Sequence, residues 1–305
     1  MGRITDGMTP QKAASILRDA GFEVDPLSLR LERREELWVM PLSGDRIAWF
    51  STTSESARLL AFERRVQELV SRHTSLCVPV STFMNDVVEV RNAVPGLVDH
   101  GVLFKTFLAD SSLAQRFGHE LGHALADLHG SIPASQHGDW LPKQLEWPLP
   151  HHEVIEKIDV VIDDPGLVAQ IDHVLTMHET IVVDPSDLVL LHGDLGFHNV
   201  AVEYENLAFR GLFDFKDAAR ADRHLDFRYL IFTPGRFDML DACCAEYSRL
   251  TGRTLDQQRI KLYNAIWAIS HLAHRAGTAP DELSCGRTLE RDLWWTRSAI
   301  ASLSA

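Results

Sequence analysis

The sequence is poor in cysteine, in basic residues and in long apolar runs. Its four cysteines show no paired spacing, and Cys243 and Cys244 are adjacent, which favours a reducing compartment over a disulfide framework. No apolar run approaches the roughly 20 residues that span a bilayer. Residues 1–9 are polar and lack the apolar centre of a signal peptide. These absences predict a cytoplasmic protein that is not inserted in a membrane.

Acidic residues outnumber basic ones, and the net charge is −13. Nucleic-acid binding needs a basic surface, so the charge disfavours nucleic acid as a partner, and it disfavours an anionic membrane for the same reason. An acidic cleft would concentrate cationic ligands, although the same charge can simply aid solubility. We therefore expect neither nucleic acid nor membrane as a partner, and we expect a monomer or a weak homodimer.

Hydrophobic periodicity and turn residues separate a strand-rich N-terminal part from a larger helical part, with the boundary near residues 91–95. Thr9 and Pro10 predict the N-cap and first position of a short helix. The predicted strands cover residues 29–40, with a charged interruption, 46–50, 78–84, 87–90 and 188–191, and a hairpin covers 199–214. The longer predicted helices cover residues 54–71, 113–128, 153–161, 165–179, 237–250, 256–276 and 281–303.

The strongest local pattern is His192–Asn199, which reads His-Gly-Asp-Leu-Gly-Phe-His-Asn and follows a short apolar strand. The hairpin after it ends at Asp214, so Asp194, Asn199 and Asp214 are expected at the ends of neighbouring strands. Phosphoryl transfer uses such a set. One carboxylate orients the attacking hydroxyl and takes its proton, while amide and carboxylate oxygens hold Mg²⁺ against the phosphates. The five-residue spacing from Asp194 to Asn199 is also that of the protein-kinase catalytic loop.

This segment and the residues that follow it resemble the aminoglycoside phosphotransferase family. Members of that family are related to the protein kinases but phosphorylate small molecules. The family pattern is His-Gly-Asp, four variable residues, Asn, then an Asp-Phe segment and a further acidic pair. The chain matches the later part with Asp214-Phe215, Asp222 and Asp226. It departs from the pattern at Ala221, where the family usually has glycine.

The resemblance implies a role for each matched residue. Asp194 would be the catalytic base or hydroxyl-orienting residue, and Asn199 and Asp214 would be the magnesium ligands. His192 would brace the loop, and Asp226 would support it through hydrogen bonds. The implied cofactors are Mg²⁺ and a nucleoside triphosphate, ATP or GTP, as phosphoryl donor.

Other features extend the resemblance over most of the chain, among them Val94-Pro95-Gly96, Leu128-His129 and the position of Glu63, which matches the family's helix-C glutamate. The implied fold is α+β, two-lobed and protein-kinase-like. A small antiparallel-sheet N-lobe would cover residues 1–93, and a larger, mainly helical C-lobe residues 94–305. The nucleotide would lie under a hinge at residues 91–93, which makes Glu63, Arg91 and Ala93 candidate nucleotide-binding residues.

The N-terminal part departs from the family in its phosphate-binding residues. The third strand normally carries a Lys or Arg that holds the phosphates and pairs with the helix-C glutamate, but Arg46–Phe50 places Trp49 or a neighbour there. Arg33–Glu36 occupies the turn where a glycine-rich loop is expected. Either Arg46 or an arginine of that turn supplies the charge, or the alignment of the third strand with the family is shifted, or nucleotide binding is weak or lost.

The implied activity is transfer of the γ-phosphoryl group to a hydroxyl of a small, cationic molecule, with an aminoglycoside-like antibiotic favoured. Asp159, Asp163 and Asp164 are candidate substrate-binding residues, since carboxylates recognise amines through charge-assisted hydrogen bonds. A solvated helix end would explain them equally simply. The alternatives are a small-metabolite kinase acting on a sugar, an amino alcohol or homoserine, and a catalytically silent nucleotide-binding protein.

A competing motif is His119-Glu120-Leu121-Gly122-His123, which matches the zinc metallopeptidase signature, with His129 at the spacing of a third zinc ligand. That arrangement needs a glycine where this chain has Ala126, a strong helix former. In a continuous helix His129 would lie about 9 Å beyond His123 along the axis, rotated by about 120°. We therefore expect one long helix rather than a three-histidine zinc site, although His119 and His123 alone would still allow a zinc site with a distant third ligand, and a zinc metallopeptidase is the less favoured alternative.

Overall fold

The computed structural model describes residues 8–24, 30–34, 37–145, 147–279, 281–284 and 286–304. Glu35 and Glu36 of the predicted charged turn, and Cys285, lie outside these residues. The chain divides into two compact units, Met1–Val98 with Asn199–Lys216, and Asp99–His198 with Asp217–Ala305. The first unit carries a small antiparallel sheet and the second is mostly helical, so the predicted α+β fold class is confirmed.

The strands are β1 (Glu32–Arg34), β2 (Leu37–Leu42), β3 (Arg46–Ser51), β4 (Val80–Met84), β5 (Val88–Asn92), β6 (Leu188–Leu191), β7 (Val200–Val202), β8 (Phe209–Leu212) and β9 (Ala219–Asp222). The helices are α1 (Pro10–Asp19), α2 (Ser54–His73), α3 (His100–Ala109), α4 (Ser111–Ser131), α5 (Ala134–His137), α6 (His151–Val161), α7 (Pro165–Glu179), α8 (Asp238–Thr251), α9 (Gln257–Ala273) and α10 (Leu289–Ser302). The predicted elements are confirmed within a few residues, except that α10 begins well after residue 281; α3, α5 and β9 were not predicted.

The sheet of the first unit has the strand order β1-β2-β3-β5-β4, with every neighbouring pair antiparallel. The β2–β3 turn uses Gly44 and Asp45, both with positive φ, a conformation that glycine and aspartate adopt most readily. Apolar side chains on one face, among them Met40, Ala48 and Phe50, are fully buried and pack with residues of α1. The alternation of the strands therefore produces a one-sided core.

Side-chain caps fix the helix starts of the first unit. Thr9 accepts a hydrogen bond from the Lys12 amide at the start of α1, and Thr53 forms a capping box with Ser56 at the start of α2. Most of the predicted apolar side of α2 is buried, but Leu59 is 45% exposed, because it lies beyond the edge of the buried stripe. These caps satisfy amides that the helices leave unpaired.

The β7–β8 hairpin groups with the first unit because its backbone bonds to segments of that unit. Leu97 and Val202 exchange two backbone hydrogen bonds, and the Leu212 amide donates to the Cys77 carbonyl at 3.1 Å. Gly211 permits this approach, since a Cβ there would lie 2.1 Å from the Cys77 oxygen. The division therefore differs from the predicted boundary at residues 93 and 94, because residues 94–98 and 199–216 lie with the N-terminal sheet.

The second unit is built around two helix contacts. Helices α4 and α8 pack closely, and α9 is buried along nearly its whole length among α6, α7 and α10. Strand β6 pairs with β9 so that Leu191 lies opposite Ala219, which positions the segment that follows β6. Among the described residues, no helix combines the length and apolar character needed to cross a membrane.

Candidate phosphotransfer site

The two predicted magnesium ligands both lie in the first unit, beside the β7–β8 hairpin. Asn199 directly precedes β7, and Asp214 follows β8 by two residues. The Phe213 amide donates to the Asn199 carbonyl at 3.1 Å, which brings the two ligand-bearing segments together. Asp214 has a φ of 64°, in the left-handed region that aspartate tolerates better than most residues. An amide oxygen and a carboxylate suit Mg²⁺, which prefers hard oxygen ligands.

Glu63 of α2 holds the segment that carries Asp214. Its Oε1 accepts hydrogen bonds from the Phe215 amide at 3.1 Å and from Gln67 Nε2 at 2.9 Å. Burial raises the pKa of Glu63, the nearby Arg91 opposes that rise, and the charge of Asp214 adds to it. Glu63 is therefore placed to orient the Asp214-Phe215 backbone.

The basic partner of Glu63 is Arg91, which lies on β5. Arg91 Nη1 forms an ion pair with Glu63 Oε2, Nε donates to Glu89 Oε1 at 2.8 Å, and Nη2 donates to the Leu60 carbonyl at 3.3 Å. The guanidinium is 2% exposed, so its donors serve buried acceptors. The sequence predicted a basic partner of Glu63 on the third strand. The base lies instead on β5, which neighbours β3 in the sheet and presents Arg91 opposite Ile47.

The other predicted nucleotide-binding residues lie near the β2–β3 turn. Arg46 Nε donates to the Ser43 carbonyl at 3.0 Å, and its guanidinium lies 5.6 Å from the centre of the Phe22 ring. The Ala93 amide donates to the Asp45 carbonyl at 2.7 Å. The structure therefore gives Glu63 its base from Arg91 and not from Arg46.

The predicted catalytic loop lies in the second unit, where Asp226 joins its backbone to the core. Asp226 accepts hydrogen bonds from the His192 amide at 2.9 Å and the Gly193 amide at 3.0 Å, and its Oδ2 lies 3.0 Å from His129 Nε2. His129 Nδ1 in turn lies 3.2 Å from the Tyr247 hydroxyl. Burial lowers the pKa of His129. Asp226 thus fixes the backbone that leads into Asp194.

Polar groups of the second unit surround Asp194. Its Oδ2 lies 2.8 Å from His198 Nε2, its Oδ1 lies 3.8 Å from Arg228 Nη2, and its amide donates to His192 Nδ1 at 3.3 Å. Burial by itself raises the pKa of Asp194, but the hydrogen bond from His198 and the charges of the neighbouring basic groups outweigh it and hold the pKa well below its usual range. The carboxylate is therefore ionised at neutral pH.

Gly193 is required by the fold of this loop. Its φ is +88°, and a Cβ would lie 1.9 Å from the Asp217 carbonyl oxygen, a distance that no side chain can tolerate. Arg228 also binds Gly193, since its Nη2 donates to the Gly193 carbonyl at 2.6 Å. The guanidinium of Arg228 lies 4.3 Å from the ring centres of both Tyr229 and Trp267. Arg228 was not predicted as a site residue, because the family pattern ends at Asp226.

The predicted continuous helix is confirmed, because α4 continues through His129. His119 and His123 are exposed on α4 and face Glu246, at 3.2 and 3.7 Å, whereas His129 is buried against Asp226. Arg249 binds both carboxylate oxygens of Glu246 at 2.7 Å. The three histidines therefore cannot share one ion.

A different set of three possible metal ligands is formed by Asp187, Asp222 and His224 among the described residues. Two arginines already neutralise it, since Arg223 Nε lies 3.0 Å from Asp187 and Arg259 Nε lies 2.8 Å from Asp222. The Asp222 carboxylate also accepts from the Tyr263 hydroxyl at 2.6 Å. These ion pairs and the hydrogen bond satisfy the carboxylates, so the set forms a structural network.

The predicted substrate-binding carboxylates lie at the end of α6 and the start of α7. Asp164 caps α7 by accepting from the Leu167 amide, and it pairs with Arg297 at 2.7 Å. Asp159 and Asp163 are exposed and line a shallow hollow with Asp164. The structure gives Asp164 a structural task and places the other two at the surface.

Trp147, His271, Trp295 and Tyr229 form an aromatic group in the second unit. The ring of His271 stacks on Trp147 with centroids 5.0 Å apart, Trp295 lies 5.5 Å from His271, and Tyr229 lies 6.1 Å from Trp295. Burial, followed by the charge of Arg287, lowers the pKa of His271 to about 4, while the Asp194 carboxylate acts in the opposite direction. The imidazole is therefore uncharged at neutral pH.

Comparison with known proteins identifies the family of the chain. The model of the phosphotransferase enzyme family matches residues 27–263. No curated protein matches the chain significantly.

Three similar solved structures show the same fold. The GDP complex of wild-type aminoglycoside 2'-phosphotransferase-IIIa has a TM-score of 0.66 at 15% identity, covering 96% of each chain. Macrolide 2'-phosphotransferase MphH from Brachybacterium faecium has a TM-score of 0.63 at 16% identity, covering 95% of this chain and 97% of that one. The streptomycin–ATP–APH(2")-IIa complex has a TM-score of 0.62 at 12% identity, covering 94% of this chain and 96% of that one. The chain belongs to the phosphotransferase enzyme family and is a small-molecule phosphotransferase with a protein-kinase-like fold.

Proposed function

We propose that this protein transfers the γ-phosphoryl group of ATP or GTP to a hydroxyl of a small hydroxylated antibiotic. The observation that carries the proposal is the ionised Asp194 carboxylate on a loop that Asp226 fastens through two backbone amides. A fixed, ionised carboxylate can accept a hydrogen bond from an attacking hydroxyl and take its proton as the phosphoryl group is transferred. Positioning of this kind supplies a large part of phosphoryl-transfer catalysis.

Each of the remaining residues has a supporting role in the proposal. Asn199 and Asp214 would hold Mg²⁺, which when bound neutralises charge on the phosphate oxygens. Glu63 fixes the backbone beside Asp214 through the Phe215 amide. His192 and Asp226 keep the Asp194 loop in one conformation. The donor is a nucleoside triphosphate, in line with the nucleotides named for the structural neighbours.

The Arg91–Glu63 ion pair favours an active enzyme over a catalytically silent one. Protein kinases use a base on the third strand to pair with the helix-C glutamate, and this chain has a base for that glutamate on the adjacent strand β5. Because the Arg91 donors contact Glu63, Glu89 and Leu60, Arg91 would act by holding Glu63 in place. The phosphates would then be held through the Mg²⁺ that Asn199 and Asp214 bind.

Two acceptor classes follow from different features of the second unit. A cationic, aminoglycoside-like acceptor would be recognised by the exposed carboxylates of Asp159 and Asp163. An acceptor with a large apolar ring, such as a macrolide, is favoured by the stacked side chains of Trp147, His271 and Trp295. The aromatic group interacts electrostatically with Asp194, so we place the macrolide-like acceptor beside the aminoglycoside in the first tests.

The test is a phosphotransfer screen with ATP and with GTP against aminoglycosides, macrolides, simple sugars, amino alcohols and homoserine. Asp194→Ala is expected to abolish turnover while the nucleotide still binds. Asp139→Ala, which removes a carboxylate at the exposed surface, is the matched control and is expected to keep wild-type activity. An Asp194→Ala protein with full turnover would refute the assignment, and transfer to a metabolite alone would move it to the small-metabolite kinases.

A further inference from the structure

His198 occupies a position in the catalytic loop to which the reading of the sequence gave no role. Its Nε2 lies 2.8 Å from Asp194 Oδ2, four residues earlier in the chain. The imidazole is about half exposed, at 49% of its side-chain surface, whereas the Asp194 side chain is 27% exposed. A contact made by so exposed an imidazole adds little to the stability of the fold, so its effect is sought in the orientation of Asp194.

Gly196 makes the contact sterically possible. A Cβ on Gly196 would lie 2.5 Å from Cε1 and 2.6 Å from Nδ1 of the His198 ring. Any other residue at this position would therefore push the imidazole away from Asp194. Gly196 has no positive φ in the structure, so a left-handed backbone conformation does not explain its presence. The missing side chain leaves room for the His198 ring.

Phe197, between Gly196 and His198, packs against other aromatic side chains and holds the loop in place. Its ring lies 5.5 Å from Phe107 and 5.9 Å from Phe232, measured between centroids, and it is stacked on the second of these. Leu195, on the other side of Gly196, is almost fully buried. Residues on both sides of Gly196 are thus held by apolar packing, which fixes the backbone from which His198 reaches Asp194.

The orientation of the Asp194 carboxylate depends on a soft torsion. Rotation about the bond to a carboxylate has a broad, roughly two-fold profile, so the carboxylate plane has to be set by hydrogen bonds. Arg228 Nη2, at 3.8 Å from Oδ1, is too far away for a hydrogen bond. The hydrogen bond that His198 Nε2 donates to Oδ2, at 2.8 Å, is one that holds the plane of the carboxylate.

We propose that His198 is a positioning residue, which holds Asp194 by Oδ2 so that the carboxylate is oriented towards the acceptor hydroxyl. The inference rests on the proposed function of Asp194. His198 acts here as a hydrogen-bond donor through Nε2, and no proton is exchanged between the two side chains. Loss of the donor should misorient the carboxylate and slow the chemical step, since small errors in placement reduce rates strongly.

The experiment compares two replacements of His198 that differ in their donor. His198→Gln places an amide N–H at a similar reach from the backbone, whereas His198→Met has similar length and no donor. With the best acceptor of the screen, His198→Met is expected to lower kcat by about 10- to 100-fold and leave the KM for the nucleotide unchanged. His198→Gln is expected to restore kcat to within about 3-fold of wild type, because the donor is retained.

Two further variants separate positioning from general disturbance. Gly196→Ala leaves His198 in the chain but displaces its ring, so it should lower kcat as His198→Met does. His173→Met, which replaces an exposed histidine on α7, should have no effect. Unfolding midpoints should stay within error for the His198 pair, which excludes loss of folded protein as the cause.

The outcomes distinguish this inference from the proposed function. Equal loss of kcat in His198→Gln and His198→Met would show that the size of the ring matters and its donor does not, which overturns the inference. Wild-type kcat in His198→Met would overturn it as well, while inactive Asp194→Ala would leave the proposed function standing. Full activity of Asp194→Ala would instead refute the proposed function and the inference with it.

Discussion

Gly118 and Gly122 allow α4 and α8 to approach so closely that a single added methyl group should change stability measurably. A Cβ on Gly122 would lie 2.4 Å from the Cys243 carbonyl oxygen, and one on Gly118 would lie 2.3 Å from that of Met239. Both oxygens belong to the backbone of α8 and cannot rotate away. Gly130 lies on the same helix, and a Cβ there would meet nothing within 4 Å.

Gly122→Ala should therefore lower the free energy of unfolding. An ordinary contact would require the helices to separate by roughly 1 Å, and overpacking of this kind costs about 3 kcal/mol, the upper part of the usual range. Alanine recovers about 1 kcal/mol through its better helix propensity. The expected net loss is about 2 kcal/mol. Gly130→Ala gains the propensity without the overlap, so it should stabilise the protein by up to about 1 kcal/mol.

Urea unfolding followed by far-UV circular dichroism measures both variants against wild type. The two alanine variants should move the urea midpoint in opposite directions. Their free energies of unfolding should differ by about 3 kcal/mol. A Gly122→Ala protein as stable as wild type, with Gly130→Ala stabilised as expected, would show that the two helices do not approach this closely. Gly118→Ala provides a second measurement of the same contact and should behave like Gly122→Ala.

Three further predictions concern buried charge. Arg91→Met should cost about 3–5 kcal/mol in urea unfolding, because it leaves the buried Glu63 carboxylate without its basic partner, while Glu89 keeps Arg64. Asp226→Asn should lower kcat by about 100-fold in the phosphotransfer assay, since an amide cannot accept both loop N–H groups and the contact with His129. The pKa of His271 lies near 4 in the folded protein and near 6.5 when unfolded, so the unfolded chain binds the proton first. Stability should fall by up to about 3 kcal/mol as the pH drops from 6.5 to 4, and His271→Phe should flatten that slope.

Each of these predictions can fail in a specific way. Wild-type stability of Arg91→Met would mean that the Glu63 carboxylate tolerates burial without a basic partner. Unchanged kcat in Asp226→Asn would mean that the loop keeps its conformation without the carboxylate. A pH slope that His271→Phe leaves unchanged would assign the acid sensitivity to other groups.

The residues of the C-terminal part were readable from the sequence because they follow each other along the chain. His192, Asp194 and Asn199 lie within eight positions, and their spacing reflects one loop between two strands. The continuous α4 was also predicted, because Ala126 favours helix where a zinc site would need a break. The same reasoning argued against a zinc site that includes His129, and the structure agrees, because His129 is buried against Asp226.

Contacts between distant segments could not be read in this way. Arg91 pairs with Glu63 because β5 lies beside β3, which depends on the strand order of the sheet. Arg228 reaches Asp194 from a segment after β9 that the sequence reading did not treat. Asp164 was a candidate substrate ligand, yet its partner Arg297 is more than 130 positions away. In each case the partner is set by packing and by no local pattern.

The sequence by itself was enough to predict the chemistry proposed for the loop, since the residue types and spacing of Asp194, Asn199 and Asp214 suggest oxygen ligands and one carboxylate base. It also determined most helices and strands, because periodicity and caps are local properties of the chain. Only the tertiary structure decided which base serves Glu63, which residues hold the Asp194 loop, and that His198 reaches Asp194 across Gly196. Those contacts arise from strand order and from the close packing of backbone and side chains, and a linear sequence records neither.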